Sequence, residues 1–163
     1  MIYPRCMDVV KFTRQLVDIE SISGNEGRVG DFLHQELSRL GFQTEKMVVE
    51  GNRHNVWATW PDAPKPDIVF STHMDTVPPH IPSSEDDSRV YGRGSCDAKG
   101  IIAVQTAAAL RLRKTNVSVG LLFLVGEERD SLGAKVANKL ARGSRFLVNG
   151  EPTENRMALA SKG

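Results

Sequence analysis

The chain has 163 residues, 40% of them hydrophobic, and a formal net charge of +1. This length and composition predict one globular domain with an apolar core of its own. The near-neutral charge without a basic run excludes a typical nucleic-acid-binding surface, and no apolar stretch has the length of a transmembrane helix or the form of a signal peptide.

Two amphipathic helices are predicted at the start of the chain. From Asp8 to Glu20, apolar residues recur close to the helical spacing. Asn25 can cap a second helix that runs to about Leu40, where Gly41 is a suitable stop. The apolar stripe of each helix is typical of packing against a sheet, so we predict a structural role for both.

A β-hairpin is predicted next. Residues 43–50 and 55–60 have the composition of strands and flank the turn residues Gly51 and Asn52. The proline-containing segment 61–66 then predicts a surface loop.

A short buried strand is predicted at residues 67–70, and it leads to a histidine and an aspartate. His73 and Asp75 follow the apolar run, and prolines then interrupt regular structure. An imidazole beside a carboxylate that orients its ring is one form of a metal ligand. A hydrogen-bonded turn without a metal is the alternative interpretation.

Residues 81–89 are polar and acidic and predict a solvated loop, because nothing orders their side chains toward one point. The glycine-rich segment 90–100 that follows has two interpretations. It could cradle a phosphate, although it lacks the Walker spacing and the dinucleotide fingerprint. The interpretation that we favour is a sharp turn that directs Asp97 into a crevice at the start of a helix. Cys96 and the distant Cys6 do not form a disulfide framework, which favours a cytoplasmic location.

An alanine-rich helix is predicted at residues 98–113, and the most hydrophobic strand of the chain at 117–125. The nearly unbroken apolar run of that strand is typical of a central strand that is buried on both faces. It ends beside Glu127 and Glu128, and adjacent carboxylates repel when partly buried unless they share a cation. The alternative is a solvated strand end before a helix whose N-terminus favours acids.

A helix at 131–141, a strand at 146–148 and a further strand at 157–160 complete the predicted elements. Strands that alternate with helices predict an α/β fold, a three-layer α/β/α sandwich around a mostly parallel, mixed sheet. In such sheets, ligands bind outside the carboxyl ends of the strands. Six candidate side chains fall there: His73, Asp75, Asp97, Glu127, Glu128 and Glu151. One histidine with several carboxylates favours zinc, cobalt or manganese.

Four motifs of the sequence resemble the M20 metallopeptidase family in order and spacing. They are STHMDTVPP, YGRGSCDAKG, GEERDSLGA and NGEPTENRMALASKG, and the match covers the chain from about Pro66 to its end. The family includes acetylornithine deacetylases, succinyl-diaminopimelate desuccinylases and enzymes similar to carboxypeptidase G2. The resemblance implies a fold of the zinc-dependent exopeptidase type.

The resemblance also implies a role for each candidate residue. His73 and Glu151 would bind a first zinc ion, Glu128 would bind a second, and Asp97 would bridge the two. Asp75 would orient the ring of His73, and Glu127 would act as the general base. Relatives also tend to have a cis peptide bond after the bridging aspartate, here Asp97-Ala98.

Relatives contain parts that this sequence lacks, namely an inserted lid or dimerisation domain and a final catalytic segment with one more histidine ligand. We therefore expect residues 1–163 to form a partial catalytic domain that is inactive alone, within an enzyme that can form a homodimer. The expected reaction is hydrolysis of an amide bond in N-acyl amino acids or short peptides. The GEPT sequence, followed by a lysine-glycine ending, favours the acetylornithine deacetylase and desuccinylase branch. The alternatives are a non-enzymatic metal-binding or interaction protein and, third, a phosphate-binding module.

Overall fold

The computed structural model describes residues 7–140 and 142–158. Its helices are α1 (Val9–Val17), α2 (Gly27–Arg39), α3 (Lys99–Leu112) and α4 (Leu132–Ala137). Its strands are β1 (Gln43–Glu50), β2 (Arg53–Thr59), β3 (Ile68–His73), β4 (Ser84–Glu85), β5 (Val90–Tyr91), β6 (Val119–Leu124) and β7 (Phe146–Asn149).

Five strands form the main sheet in the order β1-β2-β6-β3-β7. The pairings β1–β2 and β2–β6 are antiparallel, whereas β6–β3 and β3–β7 are parallel, so the sheet is mixed. The predicted hairpin is confirmed as β1 and β2. The apolar strand predicted at 117–125 is confirmed as β6, in the middle of the sheet, where an unbroken apolar run can be buried on both faces.

Helices cover the two faces of the sheet unequally. The main core lies between one face and the helices α1, α2 and α3, and it includes Val56 and Ala58 of β2. Trp57 points to the other face, because successive strand residues alternate, and packs there with Met47 and Val69 near α4. These layers confirm the predicted α/β sandwich.

Two local predictions are wrong for identifiable reasons. Asn25 does not cap α2: the cap residue is Glu26, which makes no side-chain capping bond, because its carboxylate is bonded to Arg53 instead. The loop predicted at 81–89 contains the short strand β4, which pairs with β5, directly after the loop, in an antiparallel ribbon. The Asp86 side chain accepts the N–H groups of Ser88 and Arg89 and thereby closes the turn of that ribbon.

The strand predicted at 157–160 is absent at Met157 and Ala158, and the rest of it lies outside the described residues, as does Cys6. A turn precedes this segment: the N–H of Arg156 donates to the carbonyl of Thr153, and the Thr153 hydroxyl donates to the carbonyl of Arg156. This turn takes the chain out of the extended conformation before Met157.

A buried ion pair joins α2 to β2. The guanidinium of Arg53 donates to both oxygens of Glu26, at 2.7 and 3.0 Å, and the Glu26 side chain is wholly buried. Changing Glu26 to Gln should lower the free energy of unfolding by about 3–5 kcal/mol, because the Arg53 charge would lose its buried partner and keep the exposed Glu50, 3.2 Å away. Urea denaturation measures this loss.

The matched control for this prediction is an exposed pair on α2. Glu36 accepts from Arg39, whose side chain is 71% exposed, at 2.6 Å. Changing Glu36 to Gln should cost less than about 1 kcal/mol. Equal losses of unfolding free energy in the Glu26 and Glu36 variants would show that the buried ion pair contributes no more than the exposed one.

Candidate metal centre

His73 is the last residue of β3, and its ring is 1% exposed. Its Nδ1 lies 3.0 Å from the backbone carbonyl oxygen of Asp75. Because a carbonyl oxygen only accepts, this contact assigns a proton to Nδ1, so Nε2 is the ring nitrogen that would bind a metal ion. Nε2 is directed at the carboxylate of Asp97, 2.9 Å away.

Asp97 is presented by the glycine-rich turn at the start of α3, as the favoured interpretation predicts. Gly94 has a φ of +88°, and a Cβ there would lie 2.8 Å from the Thr76 side chain, so the turn requires glycine at this position. The Asp97-Ala98 peptide bond is cis. The buried Lys99 side chain donates to the carbonyl of Ile19 at 2.6 Å and ties the start of α3 to the segment after α1.

The same turn offers little to a phosphate group. The N–H of Ser95 donates to the carbonyl of Gly92, and the N–H of Lys99 donates to that of Gly94. Phosphate cradles use backbone N–H groups that point outward at the ligand, and these two are already bonded within the turn. The phosphate-binding alternative therefore gains no support from this geometry.

Asp75 connects the end of β3 to the residues after β6. Its buried carboxylate accepts the backbone N–H groups of Glu127 and Glu128, at 3.0 and 3.1 Å, and the hydroxyl of Ser23 at 2.7 Å. Burial alone would raise the pKa of Asp75, but the hydrogen bonds from His73, Ser23 and Glu127 outweigh it and lower the pKa. Asp75 thus fixes both the His73 ring, through its carbonyl, and the two glutamates, through its carboxylate.

Three of the predicted residues converge on one point. His73, Asp97 and Glu151 each offer a ligand atom, and these atoms lie within 4.8 Å of one another. Glu127 borders this group, with its carboxylate 3.9 Å from His73 Nε2. Glu128 is not part of the three-residue group, although Asp75 holds its backbone close by.

The carboxylates around His73 stabilise a positive charge on its imidazole ring. Burial lowers the pKa of His73, but the hydrogen bonds to Asp75 and Asp97 and the charge of Glu151 outweigh it and raise the pKa to about 10. Burial, together with the charge of Asp97, raises the pKa of Glu128, and burial likewise raises that of Glu151.

The donor set fits a divalent metal ion. One imidazole nitrogen and carboxylate oxygens from separate elements are typical ligands of catalytic zinc, and they also suit cobalt and manganese. The second nitrogen of the imidazole is already bonded to a carbonyl, which is the usual arrangement around a metal-binding histidine.

A family model described as peptidase family M20/M25/M40 matches residues 69–160, which is more than half of the chain. The matched segment contains all six candidate residues. The chain belongs to this family. Membership of M20/M25/M40 implies dependence on a metal ion, in agreement with the donor set around His73.

Two named relatives are similar in sequence to this chain over most of its length. An M20 peptidase domain-containing protein of Schizosaccharomyces pombe is 39% identical over 96% of this chain and 41% of its own length. A protein of Talaromyces marneffei named a probable carboxypeptidase is 37% identical over 92% of this chain and 40% of its own. The chain thus spans about two-fifths of the length of these curated relatives.

Solved M20 structures have the same fold. A tripeptidase from Staphylococcus aureus superposes with a TM-score of 0.72 at 22% identity, over 91% of this chain and 44% of that one. Human carnosine dipeptidase 1 gives a TM-score of 0.69 at 20% identity, over 88% of this chain and 38% of that one. At these identities the likeness concerns the fold alone.

Two further observations bear on location. Among the residues that the structure describes, none of the helices is long and apolar enough to cross a bilayer. Cys96 is exposed and has a free thiol. The cytoplasmic location itself stays a prediction.

Two residues that support the candidate site were not found from the sequence. Ser23 is only a helix-breaking residue in the sequence pattern, yet it donates to Asp75 across 52 positions. Asn55 is only the first residue of a predicted strand, yet its side chain is wholly buried and bonded to residues around Glu127 and Glu128. For Asn55, the one signal in the sequence was its position as a polar residue at the start of an apolar strand.

Proposed function

We propose that this chain forms the metal-binding part of a hydrolase that cleaves an amide bond in short peptides or N-acyl amino acids. The observation that carries the proposal is the convergence of His73, Asp97 and Glu151 at the carboxyl ends of strands. The peptidase and carboxypeptidase names of the relatives support peptides as substrates. An acetylornithine deacetylase-like substrate stays the narrower expectation from the GEPT sequence.

His73, Asp97 and Glu151 would hold one divalent ion, and Asp97 with Glu128 would contribute to a second. Zinc is the proposed metal, with cobalt or manganese as substitutes. When bound, such ions polarise the scissile carbonyl and lower the pKa of water, so that hydroxide is available near neutral pH.

The side chains of the chain itself orient the reacting groups. The bond from His73 Nδ1 to the carbonyl of Asp75 fixes the ring and directs Nε2 toward the acids. Asp75 holds the backbone of Glu127, whose side chain is 46% exposed and therefore accessible to substrate and water. Glu127 is the proposed general base, which takes a proton from the attacking water and passes it to the leaving amine.

We further propose that residues 1–163 are part of a longer catalytic domain. The chain spans about two-fifths of its relatives' length. β7 pairs only with β3 in the described sheet, and its apolar side chains Phe146 and Leu147 are 58% and 63% exposed. An apolar edge strand of this kind normally pairs with or packs against further polypeptide, either more of the same chain or a second copy.

Metal stoichiometry and hydrolysis together test the proposed function. We expect the 163-residue chain to retain one zinc ion after dialysis and to bind a second only weakly, because Asp97 and Glu128 alone provide fewer than the three protein ligands of a typical catalytic site. Elemental analysis measures the number of zinc ions retained after dialysis, and calorimetric titration measures the affinity for the second ion. Two tightly retained ions per chain would contradict this expectation.

The activity assay compares the 163-residue chain with a form extended to the length of its relatives. Dipeptides, tripeptides and N-acetyl amino acids serve as substrates. We expect hydrolysis by the extended form only, lost on chelation and restored by zinc. Metal binding without hydrolysis of any of these substrates by the extended form would favour a non-enzymatic metal-binding protein.

A further inference from the structure

We propose that Asn55 is a positioning residue that fixes the acidic loop, defined as residues 126–131, and with it the carboxylates of Glu127 and Glu128. The proposal rests on the proposed function for the metal-related roles of these glutamates. The positioning itself follows from contacts within the chain and can be tested without metal.

Asn55 bonds to both ends of the acidic loop. It lies in β2, and its side chain is wholly buried. Its Oδ1 accepts the backbone N–H of Val125, just before the loop, at 3.1 Å. Its Nδ2 donates to the carbonyl of Gly133, just after the loop, at 2.8 Å. One side chain therefore joins the residues that enter and leave the loop.

The base of the loop leaves little room for another arrangement. The N–H of Gly133 donates to the carbonyl of Val125 at 3.1 Å, so the two ends also bond to each other. A Cβ at Gly133 would lie 2.5 Å from Oδ1 of Asn55 and would collide with the carbonyl oxygen of Val125. The close approach of Asn55 therefore requires glycine at position 133.

A second attachment holds the loop on the side of the metal centre. There the carboxylate of Asp75 accepts the N–H groups of Glu127 and Glu128. With Asn55 at the base and Asp75 opposite, the loop is fixed at two places. Loss of the Asn55 bonds would leave only the backbone bond between Gly133 and Val125 of the two attachments described at the base, with Val125 N–H and Gly133 C=O buried without these partners.

Arg53, on the same strand, reinforces this arrangement. A Cβ at Gly126 would lie 2.9 Å from Nη2 of Arg53 and 2.9 Å from Oδ1 of Asp130, so both side chains pack closely on the first residue of the loop. Gly126 itself has a φ of +73°. β2 thus supplies two buried polar side chains to a loop whose residues lie about 70 positions away in sequence.

Hydrogen exchange of the metal-free 163-residue chain tests the positioning role. The variants are Asn55→Ala and the milder Asn55→Ser, with Thr106→Val as control. Thr106 is also wholly buried, but its hydroxyl bonds within α3, to the carbonyl of Ile102. We expect the amides of Glu127 and Glu128 to exchange about tenfold faster in the Asn55 variants than in the control, when compared at equal global stability.

Cobalt titration of the same variants, followed by absorption spectroscopy, tests the connection to the metal. Loss of supporting contacts around ligands typically lowers affinity about 10- to 100-fold. We expect such a loss in the Asn55 variants alone, and only at the second, weaker cobalt site, to which Glu128 would contribute. Amides of Glu127 and Glu128 that exchange no faster than in Thr106→Val would overturn the positioning role. Faster exchange with an unchanged affinity of the second cobalt site would support that role and instead overturn the proposed function of Glu128 as a ligand.

Discussion

Changing Asp97 to alanine is expected to lower the affinity of the chain for zinc by more than about 100-fold. The carboxylate of Asp97 lies 2.9 Å from Nε2 of His73 and belongs to the convergent group with Glu151. As the proposed bridge, Asp97 contributes to both ions, so its loss affects both sites. Zinc per chain after dialysis, measured by elemental analysis, gives the result directly.

The control for this experiment is Asp87→Ala, which removes an exposed acid from the segment between β4 and β5. Its zinc content should match that of the unmodified chain, because Asp87 is not part of the convergent group. Full zinc retention by the Asp97 variant would show that Asp97 is only an acid at a helix start, where the helix dipole favours negative charge.

Changing Glu127 to glutamine should slow hydrolysis by the extended enzyme about 100- to 10,000-fold, the usual contribution of a general base. Metal content should stay unchanged, because Glu127 lies beside the convergent group and not within it. The bond from its backbone N–H to Asp75 survives in the variant, so the loop keeps its position. Steady-state kinetics and elemental analysis of the same sample measure the two effects.

Glu128→Gln is the matched control, since Asp75 holds the two residues through equivalent backbone bonds. As a proposed ligand, Glu128 should show the opposite pattern, with weaker binding of the second metal ion accompanying the loss of activity. A Glu127 variant with a near-normal rate would exclude Glu127 as the base. One that loses metal would identify it as a ligand instead.

Most of the elements and the candidate metal ligands followed from local sequence, although the strand predicted at 157–160 did not. The strand that ends at His73 and the apolar strand before Glu127 have patterns that need no knowledge of distant residues. The glycine-rich turn indicated Asp97 and the end of a predicted strand indicated Glu151, and the structure brings both beside His73.

The contacts that support the candidate site could not be predicted from local sequence, because they join residues that are far apart in the chain. Nothing near Asn55 indicates that its partners are Val125 and Gly133. The start of α2 illustrates the same limit, since Glu26 is committed to Arg53 and does not act as a capping side chain. Such partners are fixed by the pairing of β2 with β6 and by the packing of α2, which local propensity does not encode.

The bonds between Asp75 and the loop after β6 affect how the sequence of that loop can change during evolution. Asp75 binds backbone N–H groups of positions 127 and 128, and every residue except proline has such a group. Substitutions that alter the side-chain chemistry at these two positions therefore leave their attachment intact. A descendant of this chain could exchange the proposed base or the proposed ligand for another group while inheriting an unchanged backbone frame.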